Sequence, residues 1–410
     1  MEAQTAIPFL RTRLSLQMFL QFAIWGAWIP VFGNHLGGLN IPGEKIGYAY
    51  LTGPLALMLS PLLAGQIADR WFAVQKYLGY SYLACGGLLI WLANSAEYNQ
   101  IWWISFAVML FFGPTLGLSN ALCFYHLQDA RKDFPIVRLF GTLGWIAACW
   151  LLTLWMYLTQ RPIGDSLYLA ALFSILNGLY SFTLPHMPPQ KSAKEAFALG
   201  KVLRMLKDPS FAVFTFLAFL LLVFGTFYYN FSGLYFEKGV GVKSVDVPLV
   251  TSAGQALECV TMFLLPWALR TLGTKKTMAI GIAMWAARFG LFTLCQPKEL
   301  MVGAQALHGF SFAFGVAAAM IYVEKISDAD VRGSVQSFLA WATYGLGMFV
   351  GSILSGYLAG RFTDSETGKL DYHALWTVPA LGCAGILVLF LLFFRARDTQ
   401  TDAAPPAGAA

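Results

Sequence analysis

Twelve times along its 410 residues, the chain runs for about 20 residues with almost no charge. That recurrence restricts the fold more than any single motif. A backbone in hydrocarbon must satisfy its own polar groups, so only helices and closed barrels cross a bilayer. Runs of this length suit helices and are too long for barrel strands. The expected fold class is an all-α membrane protein with twelve transmembrane helices. The spans fall near 14–34, 46–68, 77–95, 101–126, 137–159, 166–185, 210–235, 247–269, 276–295, 300–323, 333–359 and 374–395. Composition agrees: 58% of residues are hydrophobic and 12% charged, about half the charge of a soluble domain. The first run lacks a small-residue cleavage site and reads as a retained helix.

Charge sets the expected orientation. Nineteen Lys and Arg fall on one face of this topology and seven on the other, with Arg288 left inside a helix. The positive-inside rule then puts both termini in the cytoplasm. The net charge of +6 belongs to loops and does not imply nucleic-acid binding. The six cysteines all lie in apolar segments without a CxxC pair, so neither a disulfide framework nor a metal site is expected. No Walker loop, GxSxG elbow or HExxH helix is present, which argues against direct ATP drive and against an enzyme. No cofactor is expected.

The long polar connection "PHMPPQKSAKEAFALGKVLRMLKDPS" (185–210) divides the spans six and six. An ordinary loop would also fit, but its central place and basic, amphipathic second half favour a linker. The expected domains are an N-terminal six-helix bundle (1–185), a cytoplasmic linker (186–208), a C-terminal six-helix bundle (209–398) and a disordered tail (399–410). The halves echo each other. "SPLLAGQIADRWFAVQK" (60–76) and "LLPWALRTLGTKK" (264–276) join equivalent spans, and "DFPIVRLFGTLG" (133–144) and "DADVRGSVQSF" (328–338) open equivalent ones. Two halves related as parallel repeats mark a transporter, with the solute between them near the midplane.

The most informative single residue is Glu258, in "SAGQALECVT" (252–261). It lies about eleven residues into the eighth span, roughly 17 Å deep. An ionised carboxylate there costs about 2.5–3.5 kcal/mol on insertion scales, so it should face a water-filled cavity or a partner. Gln255, at i−3, shares its face. A structural carboxylate pairing with a basic neighbour is the alternative. Arg138, Thr142 and Trp145 stand at i, i+4 and i+7 on one face of the fifth span, where position alone would make Arg138 a topology anchor. His308 titrates near neutral pH when unperturbed and so could exchange protons, although a lone helical His is more often packed. Phe312 follows it at i+4. Gln21 and Asn120 suit interhelical hydrogen bonds better than solute contact. Arg288 suits snorkelling or helix pairing, and Trp102 and Trp103 read as interface anchors.

Gly65, Asp69 and Arg70 in "GQIADRW" resemble the signature loop of the major facilitator superfamily, which implies a gate. More narrowly, "FLQFAIWGAW" (19–28), "PTLGLSNALCFYHLQ" (114–128), "DFPIVRLFGTLGW" (133–145), "YVEKI" (322–326) and "GSVQSF" (333–338) together resemble the bacterial nucleoside:proton symporters of that superfamily. The resemblance runs in collinear order through nearly the whole chain. It implies that Gln255 and Glu258 belong to a nucleoside site, with Arg138, Thr142 and an aromatic at 145. It also implies a role for Asn230 in "FGTFYYNFSG" (224–233). Two departures stand out: Phe227 where the family carries a polar amide, and Ala313 where it can carry an aspartate.

The expectation is therefore a proton-coupled importer of nucleosides in the bacterial inner membrane. It would act as a monomer by alternating access, with Glu258 and His308 as candidate proton-coupling groups. Its partners would be a small solute, protons and membrane lipid, with no nucleic acid. A sugar or polyol permease of the same fold is the first alternative, and a non-transporting solute sensor is the alternative from another class.

Overall fold

The computed structural model describes residues 8–63, 72–189, 205–327 and 332–396. The expected gate residues Gly65, Asp69 and Arg70, most of the linker and the 399–410 tail lie outside them. Within the described residues the chain is helical throughout, apart from a single isolated β-bridge between Thr363 and Leu370.

In chain order the helices are α1 (Leu10–Gly38), α2 (Gly43–Ala49), α3 (Thr52–Leu63), α4 (Val74–Ala93), α5 (Tyr98–His126), α6 (Ala130–Thr159) and α7 (Asp165–Ser181). There follow α8 (Pro209–Gly239), α9 (Ser244–Thr271), α10 (Gly273–Phe292), α11 (Lys298–Ile326), α12 (Gly333–Arg361) and α13 (Tyr372–Phe393). Eight of them are long and apolar enough to cross a membrane: α1, α5, α6, α8, α9, α11, α12 and α13. The local reasons are legible. Asp129, Asp208 and Asp371 accept hydrogen bonds from the backbone N–H groups of Lys132, Phe211 and Ala374, and so cap α6, α8 and α13. Each such cap contributes about 1 kcal/mol. Pro30 sits in the tight turn that interrupts α1 at Ile29–Val31. Large apolar side chains cover the outside: Phe263, Leu381 and Leu392 are more than half exposed. Such a surface belongs in lipid rather than water.

Two groups of helices repeat one packing pattern. In the first, α1 packs on α6 and α7, α4 on α5 and α7, and α3 on α5. In the second, α8 packs on α12 and α13, α10 on α11 and α13, and α9 on α11. Between the groups, α6 meets α9, α2 and α3 meet α12, and α1 meets α8.

The seam is tightest at the end far from the chain termini. There Asn34 Nδ2 donates to Glu237 Oε2 at 2.6 Å, and Ser244 Oγ donates to Glu237 Oε1 at 2.7 Å. Gly47 and Gly356 meet backbone to backbone, leaving no room for a Cβ on Gly47. Close crossings through small residues are how helices associate without a hydrophobic drive between them. Trp150 Nε1 donates to Ser252 Oγ at 3.2 Å on the same seam.

Candidate functional site

α11 is not a regular helix where it passes the centre. A 3-10 turn (Ala304–Ala306) and a π-helical stretch (Ser311–Ala317) bracket Leu307–Phe310. Irregular turns of this kind re-aim side chains and recur at functional sites. His308 sits between them and is fully buried, with its Cβ and ring against Gly254 of α9. A Cβ on Gly254 would lie 2.8 Å from the His308 Cβ. The ring stacks on Tyr228 of α8 at 5.3 Å and faces Phe312 at 6.5 Å.

Three ionisable groups converge here. His308 Nε2 is 3.9 Å from Glu258 Oε2 on α9, and Glu258 keeps 16% of its side chain exposed. On the other ring edge, Nδ1 lies 2.6 Å from Arg288 Nη1 on α10. The Arg288 guanidinium stacks over Tyr228 at 4.2 Å and Trp285 at 4.5 Å. Cation–π contacts of this kind offset part of a buried charge. Gln305 Nε2 donates to the Tyr228 hydroxyl at 3.0 Å and completes the wall.

A small cavity adjoins this cluster, lined by Pro30, Trp145, Tyr228, Tyr229, Thr251 and Gln255. Gln255 Oε1 and Trp145 Nε1 are buried there without a protein partner. Unpaired buried polar atoms cost roughly 1–3 kcal/mol each, so such atoms lining a cavity favour a polar occupant. A larger apolar cleft lies between α8, α11 and α12, with Gln336, Thr343 and Tyr344 as its polar lining residues. Tyr344 also lies within electrostatic range of Glu258.

The structure thus brings Gln255 together with Trp145, and Glu258 with His308 and Phe312. Arg138 lies on α6 with its guanidinium 4.1 Å above the Phe22 ring, within charge range of Glu258. Thr142, one turn on, is half-buried. Asn230 points elsewhere. Its amide donates to Ser352 and Ser355 of α12 at 3.2 and 3.0 Å. Phe227 and Ala313 are wholly buried in the core. Gln21 accepts from Gln17 at 3.3 Å within an internal network, and Asn120 is half-buried on α5. Trp103 is exposed at the rim, and Trp102 Nε1 donates to the Tyr48 carbonyl.

Arg288 is the residue that sequence reasoning undervalued. Snorkelling is ruled out because none of it is exposed. The pairing expectation holds, with His308 as its partner across α10 and α11. The available signal was an arginine inside an apolar run, which the cost of burying charge makes a functional candidate by default.

The family model described as "Nucleoside H+ symporter" matches residues 9–399. The chain belongs to the nucleoside H+ symporter family. As a nucleoside H+ symporter family member it is a major facilitator transporter and not an enzyme. The putative nucleoside transporter YegT of Escherichia coli is 32% identical over 407 residues, covering 95% of each chain. Xanthosine permease of the same organism is 30% identical, covering 93% of this chain and 95% of that one. Among solved structures, the nucleoside transporter NupG superposes with a TM-score of 0.84 at 26% identity, over 95% of this chain and all of that one.

Proposed function

We propose that this chain imports nucleosides into the bacterial cytoplasm, driven by protons, through alternating access between two six-helix halves. In this reading twelve spans cross the inner membrane: residues 1–185 form one half, 186–208 the cytoplasmic linker and 209–398 the other half. α2 with α3, α4, α7 and α10 supply the spans beyond the eight most apolar helices. Both termini lie in the cytoplasm, as the nineteen-to-seven distribution of basic residues favours. The seam through Asn34–Glu237 and Gly47–Gly356 is then the outer seal, and the state described here is closed to the outside.

The observation that carries the proposal is the placement of Glu258. It is a sheltered carboxylate on the seam between the halves, within charge range of Arg138 and one turn from a buried, unpaired Gln255 oxygen. A carboxylate there is stable while the cavity is wet and costly once the cavity closes. Protonation from the outside removes that penalty and lets the loaded carrier rearrange. Return to the cytoplasmic side releases the proton.

Arg138, Thr142, Gln255 and the His308 ring supply hydrogen bonds to ribose hydroxyls or base edges, while Trp145 and Phe312 supply flat apolar faces. Asn230 joins this set only when α8 and α12 separate, because its amide now serves Ser352 and Ser355. The loop holding Gly65, Asp69 and Arg70 acts as the cytoplasmic gate in the outward-facing state. Lipid surrounds a monomer.

The test is uptake of radiolabelled uridine and adenosine into proteoliposomes, with and without an inward proton gradient. Excess unlabelled xylose or glucose serves as competitor. Gradient-driven accumulation that sugar leaves untouched is the expected result. Displacement by sugar, or no nucleoside uptake, would move the protein to the sugar-permease reading.

A further inference from the structure

The hydrogen bond between Arg288 and His308 settles which ring atom can carry a proton. Guanidinium groups only donate, and they stay charged at every physiological pH. With Arg288 Nη1 at 2.6 Å from His308 Nδ1, Nδ1 must accept. The proton of the neutral ring then sits on Nε2, the atom facing Glu258 at 3.9 Å. An imidazolium would set N–H against N–H across that 2.6 Å and place two positive charges side by side where neither meets water. Burial makes such an arrangement costly.

We propose that Arg288 is a positioning residue that locks His308 as a neutral Nε2–H donor, aimed at Glu258 and the solute, so that His308 does not carry the transported proton.

The other groups around the ring agree with this assignment. From α8, Tyr228 stacks on the His308 ring face and directs its hydroxyl to Gln305, so it does not compete for Nδ1. From α9, Glu258 is the one carboxylate among the described residues that pairs with His308. From α6 and α12, Arg138 and Tyr344 lie within electrostatic range of Glu258, and from α8 Tyr229 lies within range of both Arg288 and Glu258. From α13, Cys383 lies within electrostatic range of Arg288. Arg288 itself is stacked on Tyr228, Trp285 and Phe289, and with its Nε and Nη2 lacking hydrogen-bond partners it donates through Nη1 to His308.

A mechanistic consequence follows. The Nε2–H of His308 has two possible acceptors, the Glu258 carboxylate and an oxygen of the solute. An ionised carboxylate is the stronger acceptor and competes with the solute. Once Glu258 is protonated, the donor is released to a carbonyl or hydroxyl on the incoming molecule. Proton binding and solute binding then support each other through a fixed imidazole. This step rests on the transport reading above, whereas the clamp itself does not.

The test is nuclear magnetic resonance of the full-length protein, labelled with nitrogen-15 histidine, in lipid nanodiscs. The chain has five histidines, and His308→Gln assigns the relevant signal. The wild type should show an unprotonated, accepting Nδ1 and a protonated Nε2, unchanged between about pH 5 and 8, where a free histidine titrates. Arg288→Met should give mixed tautomers and a titration inside that window. A wild-type His308 that titrates there, or carries its proton on Nδ1, overturns the clamp even if the Arg288 variant does not fold. An unchanged spectrum in a folded Arg288→Met protein also overturns it.

Transport gives the second readout. His308→Gln keeps a neutral donor, so nucleoside uptake should fall but stay coupled to protons at the wild-type ratio, whereas His308→Leu should weaken solute binding about tenfold. Loss of proton coupling in His308→Gln, with solute exchange intact, would return the proton to the imidazole. A clamped spectrum without nucleoside uptake would sink the transport reading alone.

Discussion

The two groups of helices share a packing pattern but fill their interiors with different chemistry. In the first, Gln17 of α1 donates to Ser119 of α5 at 2.8 Å and to Gln21 at 3.3 Å, and lies 3.4 Å from the Tyr82 hydroxyl of α4. In the second, α10 and α11, which correspond to α4 and α5, are tied by Arg288 and His308, with Glu258 of α9 beside them. One tie is neutral and shared among hydroxyls and amides. The other is built from groups that hold charge. A neutral network keeps its geometry whatever the protonation state, so the first group can serve as a frame. The second can respond to a proton because removing or adding one charge at Glu258 changes what Arg288 and His308 face. Arg138 of the first group lies within charge range of that carboxylate and is stacked on Phe22.

That contrast can be broken at several points. The largest effect is expected at Glu258. Glu258→Gln should abolish accumulation against a gradient while leaving solute exchange, as measured by uptake and counterflow in proteoliposomes. Next is the outer seal. Gly356→Val places a branched side chain against the Glu44 carbonyl and the Tyr48 ring, and a Cβ there would already sit 2.8 Å from the first. The seal cannot close over that bulk, so turnover should fall at least about tenfold. Thiol labelling of a cysteine introduced at position 237 should rise from the outer side in parallel.

Trp145→Ala should weaken nucleoside binding by about 0.5–1.5 kcal/mol beyond lost area, while Trp145→Phe should change it much less. Isothermal titration separates the two. The smallest effect belongs to the neutral frame. Gln17→Leu should lower thermal stability by only about 0.6–1.7 kcal/mol, the scale of interhelical hydrogen bonds in membranes. It should leave the pH profile of uptake unmoved. A shifted pH profile in that variant would mean that the first group is no passive frame.

Much of this was legible before any coordinates. Eight of the twelve apolar runs fall on helices long and apolar enough to cross a membrane among the described residues, because hydropathy and helix length are set by the same bilayer thickness. Glu258 and Gln255 were readable because a carboxylate in an apolar helix is expensive wherever it packs. Asn230 was less readable. Its polarity fits a solute contact and a strut equally, and only tertiary packing against Ser352 and Ser355 separates the two. Arg288 was half legible: the helix pairing expected of it is found with His308, and only the snorkelling alternative falls. Distance from a helix end suggests snorkelling, whereas the aromatic enclosure by Tyr228, Trp285 and Phe289 comes from three turns of two helices that no local pattern connects. The irregular turns around His308 also carry no sequence signature that length or periodicity would detect.

The most direct test of the central claim is proton movement itself. Purified protein in liposomes holding a pH-sensitive dye would be given a pulse of uridine with no pre-set gradient. The account predicts internal acidification that tracks uridine entry in the wild type, a smaller signal at the same proton-to-uridine ratio in His308→Gln, and its loss in Glu258→Gln with uridine exchange retained. Uridine-linked proton entry that survives Glu258→Gln would contradict it.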